Sequence, residues 1–505
     1  MFPIPETNVV KKDWRRVDVK VALCYPNVYR AGMSGLTVQL LYALLNSRED
    51  VACERFFLPS EEESVLSLES HQPLNRFDVV AFTFQYEEDY VNALKMLMAS
   101  GIALDRKLRA CRPLLVAGGP CITENPMPLL DFFDLFIIGE LEPILERFVE
   151  GLEESIRERT TENLKGREGF FTPDASSAVR VWLNDLDGGP HPVAQLLPKV
   201  EPKSRYMPVF GRTFTVEAVR GCPRSCRFCL IRCIGRPMRV RSLSKLEGII
   251  SEGVRLTGVS KVSLIGAGVS DHPELEEICE YVVGNGWEIS VPSFNVGSVT
   301  ERLVGCLVRG GQRTLTLAPE AGSERLREVA GKTFSNREVV EAAEMALRGG
   351  IKQVKLYFLV GLPSETVEDV DEIISLSKAV ADVGFGKRGV RLSVNPMIPK
   401  PYTPFQLGEP ISAPYLEGAL GRVREAGRRD PRLRVECFNV KHACLQDLLS
   451  RGDVVLGSVL RRVAEYGGGL GGWRRALREE KMAVGRYVSV REVGDRVEWQ
   501  RVRLA

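Results

Sequence analysis

Between residues 213 and 394 six apolar, strand-like runs alternate with five helix-like stretches, and that rhythm restricts the fold more than any other feature of the chain. The runs are 213–219, 261–265, 287–291, 313–317, 353–360 and 390–394; the stretches are 246–256, 274–283, 300–309, 336–348 and 367–380. Gly284, Gly286, Gly310, Gly311, Gly349 and Gly350 supply helix stops between them. Strands joined through helices run parallel, so the pattern predicts a partial (β/α)6 barrel of TIM type. Functional groups of such a barrel gather on the loops that follow its strands.

The loop after the first run carries Cys222, Cys226 and Cys229, spaced Cys-x3-Cys-x2-Cys. Three thiolates so placed can hold three irons of a cubane [4Fe–4S] cluster and leave the fourth iron open for chemistry. Buried core thiols and three of four zinc ligands are the competing readings. Zinc sites favour four ligands and two-residue spacings, and Cys233 is the one nearby candidate for a fourth. Twelve cysteines in 505 residues, four of them inside twelve positions, suit reduced thiols and a metal site rather than a disulfide framework.

The same alternation occupies the first 150 residues, with strand-like runs at 20–25, 79–84, 113–117 and 135–138 and helix-like stretches at 36–45 and 90–99. This predicts a Rossmann-like parallel sheet whose ligand lies beyond the carboxyl ends of its strands. The loops there hold Asn27, Tyr29, Gly32 and Ser34; Phe84, Gln85 and Tyr86; Gly118, Gly119 and Pro120; and Gly139 with Glu140. Charged and Gly/Pro-bearing residues from 151 to 210 read as a linker, residues 211–405 as the barrel, and 406–505 as a smaller C-terminal region with an alternating β-like stretch at 487–502.

No run approaches the ~20 apolar residues of a spanning helix, and the opening Met-Phe-Pro-Ile-Pro-Glu-Thr lacks a signal pattern, so a cytoplasmic protein without a membrane partner is expected. The net charge of +2, from 68 basic and 66 acidic residues, does not announce a nucleic-acid binder and does not exclude one. Paired arginines at 428–429, 461–462 and 474–475 read as solvated helix faces.

Taken together, the cysteine loop, Leu264-Ile-Gly-Ala-Gly-Val-Ser-Asp271, Leu317-Ala-Pro-Glu-Ala-Gly-Ser-Glu-Arg-Leu326, Gly361-Leu-Pro-Ser-Glu-Thr366 and Asn395-Pro-Met-Ile-Pro-Lys-Pro-Tyr-Thr-Pro-Phe405 resemble the cobalamin-binding branch of the radical S-adenosylmethionine (SAM) enzymes. The likeness runs from about residue 18 to about 455. It implies a B12-type Rossmann domain before the barrel, with the open iron taking the amino and carboxylate groups of SAM. Gly266, Ala267 and Gly268 would then face the methionine part of SAM, Ser293, Asn295 and Glu320 its ribose or carboxylate, and Gly361 its adenine. Many cobalamin proteins carry Asp-x-His-x-x-Gly after the first strand, the histidine binding cobalt; here the residues are Asn27-Val-Tyr29-Arg-Ala-Gly32. Tyr29 thus either packs under the cobalt, approaches it through oxygen, or is merely packed in a domain without the cofactor.

The function implied is methylation of an unactivated carbon through a 5′-deoxyadenosyl radical and methylcobalamin, with a flavodoxin- or ferredoxin-type electron donor. Relatives that C-methylate methyl-coenzyme M reductase point to a peptide or protein substrate, and Phe84, Gln85, Tyr86, Tyr402 and Phe405 are candidate walls of the reaction space. The same motifs admit rearrangement, cyclisation or tRNA modification with or without cobalamin, and a non-catalytic iron–sulfur redox sensor. His71, His191 and His272 read as surface or hydrogen-bonded loop histidines rather than ligands, Cys437 and Cys444 as core thiols despite His442 between them, and Cys24, Cys53, Cys111 and Cys121 as core or loop thiols.

Overall fold

The computed structural model describes residues 4–60, 63–109, 112–409, 412–487 and 497–504. The chain divides into two compact units, Met1–Arg212 with Leu448–Ala505, and Thr213–Asp447.

In the first unit β1 (Val19–Tyr25), β2 (Val51–Phe57), β3 (Val79–Thr83), β4 (Leu114–Gly118), β5 (Leu135–Ile137) and β6 (Phe170–Phe171) form one sheet of order β2-β1-β3-β4-β5-β6. The first five strands are parallel and β6 is antiparallel to β5. Leu114, Leu115, Val116 and Ala117 are all at most 2% exposed, which is why β4 reads as a continuous apolar run: a parallel sheet is covered on both faces. Because β1 lies between β2 and β3, the chain leaves it in opposite directions and a crevice opens at the carboxyl ends of β1 and β3. The Rossmann-like fold is the one the sequence pattern implied.

Two boundaries differ from expectation. Residues 151–210 are integral to the first unit: the helix Leu145–Glu158 runs into them, β6 joins the sheet, and Leu164, Phe170 and Leu196 are buried in its core. A two-residue strand is too short to leave a periodic signal, and glycine and proline punctuation concealed the buried residues between. The C-terminal region also divides, since the chain returns to the first unit at Leu448. There β7 (Ala178–Val179) pairs in parallel with Val502–Arg503; of the stretch 487–502 expected to be β-like, residues 488–496 lie outside the described residues, Glu498–Arg501 form a 3-10 turn, and Val502 pairs as a strand.

The second unit is the barrel. Parallel strands β8 (Phe214–Glu217), β11 (Lys261–Ile265) and β12 (Glu288–Ser290) lie in the order β12-β11-β8, with the antiparallel pair β9 (Val219–Arg220) and β10 (Arg239–Val240) at the mouth. A parallel bridge between Phe294 and Leu317 leads on to β13 (Thr314–Glu320), β14 (Gln353–Val360), β15 (Val390–Pro396) and β16 (Leu433–Cys437), again all parallel. All six expected strands are present. The seventh, β16, follows the helix Ala413–Arg429 and extends the barrel beyond residue 405.

The helix-facing side of the barrel is set by close contacts. A Cβ on Gly253 would stand 1.9 Å from the Phe214 ring, and one on Gly427 would stand 2.4 Å from Val435, so these strand residues lie against helices. Alternation then turns Thr215, Glu217, Arg434 and Glu436 to the concave side. Along β14, Val354, Leu356, Phe358 and Val360 are fully buried while Gln353, Lys355, Tyr357 and Leu359 are half-buried. Among the described residues no helix is long and apolar enough to cross a membrane.

Candidate active site

The cysteine loop is closed at its base by the pairing of Arg220 in β9 with Arg239 in β10. It enters through Gly221, where φ is +85° and a Cβ would stand 2.0 Å from the Gly235 carbonyl oxygen, so only glycine fits the turn. Inside the loop Arg232 donates to the Ser225 carbonyl at 2.9 Å, and the Arg227 amide donates to the Ala330 carbonyl at 2.9 Å. Arg224 pairs with Asp271, tying the loop to the segment after β11. Phe228, between two of the cysteines, packs, as Leu359 and Phe405 do, against a small apolar cluster of Ala321, Leu326, Ala330, Leu362 and Met397.

Cys222, Cys226 and Cys229 are free thiols and all half-buried. Burial pushes the Cys226 thiol up to about 11, opposed by the Lys332 ammonium beside it; burial also raises Cys222. Among the described residues no three His, Cys, Asp or Glu side chains converge on one point, as ligands of a single ion would. A cubane makes a different demand, one iron to each thiolate. Free, partly exposed thiols on a loop pinned from three sides fit it.

The remaining barrel candidates line the carboxyl ends of the strands. Gly266 follows β11 with φ +146°, and a Cβ there would stand 2.2 Å from the Val219 carbonyl oxygen; one on Gly268 would stand 3.4 Å from Cys222 Cα. The segment containing Ala267 therefore runs directly against the cysteine loop. Ser293 is exposed after β12, while the Asn295 carboxamide caps the turn by accepting from the Gly297 amide at 3.3 Å. Glu320, at φ +65° beyond a register shift in β13, already takes an ammonium from the chain itself: Lys332 Nζ lies 3.0 Å from its Oε1 and 2.6 Å from the Ala318 carbonyl. At Gly361 the amide donates to Glu365 Oε1 at 2.8 Å, and the Tyr415 hydroxyl donates to the same oxygen at 2.8 Å, which fixes the turn. Tyr402 accepts through its carbonyl from Cys233 Sγ at 3.3 Å.

Lys332 and the Arg224–Asp271 pair have no counterpart in the sequence reading. Each is a single polar residue whose partner comes from another loop, a relation that spacing does not display. Phe228 was within reach, since it occupies the cysteine motif itself.

In the first unit the candidate residues gather at the carboxyl edge of the sheet. A Cβ on Gly119 (φ +101°) would stand 2.6 Å from the Phe84 carbonyl oxygen, and one on Gly139 (φ +107°) 2.0 Å from that of Val181, so the loops after β3 and β4 are drawn together and the loop after β5 lies against Val181. Pro120 opens the short helix after Gly118 and Gly119, Glu140 Oε2 accepts from the Leu183 amide at 2.8 Å, and Gln85 Nε2 donates to Thr83 Oγ1 at 3.1 Å. Phe84 is fully buried, and the Tyr86 hydroxyl donates to Glu88. Ser34 Oγ donates to the Arg30 carbonyl and accepts from the Val209 amide, while Gly32 abuts the Phe57 and Tyr25 rings.

Tyr29 is 2% exposed, its ring edge-on to Phe57 at 5.2 Å and to Tyr206 at 6.0 Å, and its hydroxyl donates to Glu6 Oε1 at 2.8 Å. Burial raises its pKa, followed by the charge on Glu6. This arrangement favours the packed reading over an oxygen ligand to cobalt: the oxygen has a buried partner, and forming the phenolate would be opposed by that neighbouring carboxylate.

Asn27 Nδ2 donates to Asp89 Oδ1 at 2.8 Å, and Asn92 Nδ2 reaches the same oxygen at 3.1 Å. Burial nevertheless pushes Asp89 up to about 6. A carboxyl whose folded pKa lies above its unfolded 3.8 destabilises the fold as pH rises from about 4 through 6. Asp89→Asn keeps Oδ1 and removes the charge. Its melting temperature should therefore exceed that of the wild type at pH 8, by the equivalent of about 2–3 kcal/mol, with the difference vanishing below pH 4; a difference independent of pH would contradict this.

Residues 37–173 match the family described as "Radical SAM proteins, N-terminal", and residues 216–377, which include all three cluster cysteines, match "Radical SAM superfamily". The chain belongs to the radical SAM superfamily, and is a radical SAM enzyme with an iron–sulfur cluster and SAM as cofactors. It is 36% identical over 449 residues to "Uncharacterized protein MJ0966" of Methanocaldococcus jannaschii, a match covering 87% of this chain and 90% of that protein. It is 25% identical over 274 residues to "Uncharacterized methyltransferase PH0819" of Pyrococcus horikoshii, covering 52% of this chain and 57% of that one. Its fold is similar to that of the radical SAM methyltransferase TsrM from Kitasatospora setae, solved with cobalamin and a [4Fe-4S] cluster bound: TM-score 0.56 at 14% identity, over 92% of this chain and 99% of that chain.

Proposed function

We propose that this chain is a cobalamin-dependent radical SAM methyltransferase that methylates an unactivated carbon, with a peptide or protein residue as the leading substrate class. The observation that carries the reading is the combination, in one chain, of a parallel sheet of order β2-β1-β3-β4-β5 with glycine-lined carboxyl-end loops and a parallel barrel whose first loop presents three free cysteines. The fold shared with TsrM and the similarity to PH0819 support it. When bound, the cluster and SAM supply hydrogen abstraction from an unactivated C–H bond and the corrin supplies the methyl group.

The chain's own part is to bind, orient and shield. Cys222, Cys226 and Cys229 hold three irons, and the main chain at Gly266, Ala267 and Gly268 meets the methionine part of SAM, on a segment that Gly266 lets run against the Val219 carbonyl. The Gly361 turn, fixed by Glu365 and Tyr415, is placed for adenine. In the first unit the loops at Gly118 to Pro120 and at Gly139 to Glu140 hold the corrin. Tyr29 supports that unit from within rather than binding cobalt. Mass spectrometry of proteins and small molecules from cells with and without the gene tests the proposal: a component gaining one methylene only when the gene is present is expected, and identical profiles under conditions where the protein accumulates with its cluster would contradict it.

A further inference from the structure

The concave face of the barrel carries charge where a closed barrel would carry a packed apolar core. Strands β14, β15 and β16 are in register, so that Lys355, Arg391 and Arg434 are neighbours in one row, and Tyr357, Ser393 and Glu436 in the next concave-facing row towards the carboxyl ends. The row between them includes Val435, which lies against Gly427 of a helix; the two polar rows therefore share the opposite, concave face.

Three cations share these rows with one carboxylate. Arg391 and Arg434 approach Glu436 Oε1 at 3.3 and 2.9 Å, whereas Lys355 has no acidic side chain within ion-pair distance among the described residues. Lys355 Nζ instead donates to the Tyr357 hydroxyl at 3.1 Å and lies 4.6 Å from its ring centroid. The phenol oxygen accepts that bond and so keeps its own proton to donate. Arg391 is 31% exposed, and its Nε is buried without a partner among the described residues. Cations gathered on a half-buried face are stabilised when an anion joins them.

We propose that this face is the substrate subsite and that it holds an anionic group of the substrate, a carboxylate or a phosphate ester, through Lys355, Arg391 and the Tyr357 hydroxyl. The inference rests on the reading that the barrel is catalytic, because it places the anion deeper in the barrel than the strand ends and leaves the reacting carbon on the side of the cysteine loop. It accounts for a polar interior that the cofactors do not require.

Calorimetric titration of the cluster-reconstituted protein with inorganic phosphate and with acetate, at low ionic strength, tests it. Saturable binding of at least one anion is expected, phosphate the tighter for a phosphate ester and acetate for a carboxylate. In Lys355→Met/Arg391→Met affinity should fall at least about tenfold, whereas Arg302→Met, on an exposed helix, should bind as the wild type does. Glu436→Gln frees both arginines and should bind about threefold tighter or more, a gain that a misfolded protein would not show. Failure of the wild type to bind either anion, equal binding by the double variant, or unchanged affinity in Glu436→Gln would each overturn the proposal. SAM cleavage measured on the same wild-type preparation separates the two readings. Cleavage without anion binding removes the subsite alone, and anion binding without cleavage removes the catalytic role while leaving an anion site.

Discussion

Replacement of Cys226 by alanine is expected to reduce SAM cleavage to background and to strip iron from the reconstituted protein. In the proposed function each cysteine of the loop serves a separate iron, so the loss of one thiolate removes a corner of the cube, and neither neighbour can replace it. Cys233→Ala is the informative companion. Its thiol donates to the Tyr402 carbonyl at 3.3 Å, and a cubane held by the other three has no need of it. A four-cysteine zinc site would need it. Iron content and SAM cleavage should therefore survive in Cys233→Ala and vanish in Cys226→Ala; loss of both properties in both variants, with zinc found in the wild type, would replace the cluster with a structural zinc.

The largest effect on stability is expected at Arg55, far in sequence from any motif. Its side chain is fully buried, with two bonds to Glu6 at 2.6 and 2.9 Å and one to Glu69 at 2.7 Å; both carboxylates are themselves buried. The Tyr29 hydroxyl completes the group through Glu6. Arg55→Met would leave two buried carboxylates with no cation, a change that costs about 3–5 kcal/mol. Burial already raises the pKa of Glu69 with the guanidinium in place, and removing that opposing charge raises it further. The variant's deficit should thus be greatest at neutral pH and shrink as the pH falls and Glu69 takes up a proton. Urea denaturation at pH 7 and pH 5 measures both, and a deficit below about 1 kcal/mol at pH 7 would contradict the account. Tyr29→Phe removes one bond to a carboxylate and should cost about 1.5–3 kcal/mol while leaving the absorbance of bound corrinoid unchanged. A shifted corrinoid spectrum would return Tyr29 to the cobalt.

The parts of the molecule visible in its sequence are those built by local rules. The six barrel strands were legible because each is apolar at every second position, where it faces a helix, and each intervening helix needs a stop, which Gly286, Gly311 and Gly350 supply at positive φ. The position of the cysteine loop followed from the same count. The seventh strand, Leu433-Arg-Val-Glu-Cys437, alternates as β15 does, but two of its five residues, Arg434 and Glu436, are charged, and it was read as part of the C-terminal region. At β6 two phenylalanines contribute a whole strand, below the length at which any period can be read. Tyr29 was correctly placed after the first strand, yet its role depends on Glu6, twenty-three residues upstream, and on a guanidinium from β2. Lys332 meets Glu320 across a chain reversal in the same way. Such relations arise from tertiary packing, and no local pattern encodes them.

The central claim is that one chain holds a SAM-cleaving cluster and a corrin. Anaerobic reconstitution with iron, sulfide and cobalamin, followed by measurement of iron, corrinoid absorbance and 5′-deoxyadenosine on a single preparation, tests it most directly. About four irons and one corrinoid per chain are expected, with reductant-dependent release of 5′-deoxyadenosine. A protein that binds the cluster and cleaves SAM but retains no corrinoid after gel filtration would contradict the methyl-transfer reading, and one that binds SAM without cleaving it under any reductant would contradict the radical chemistry itself.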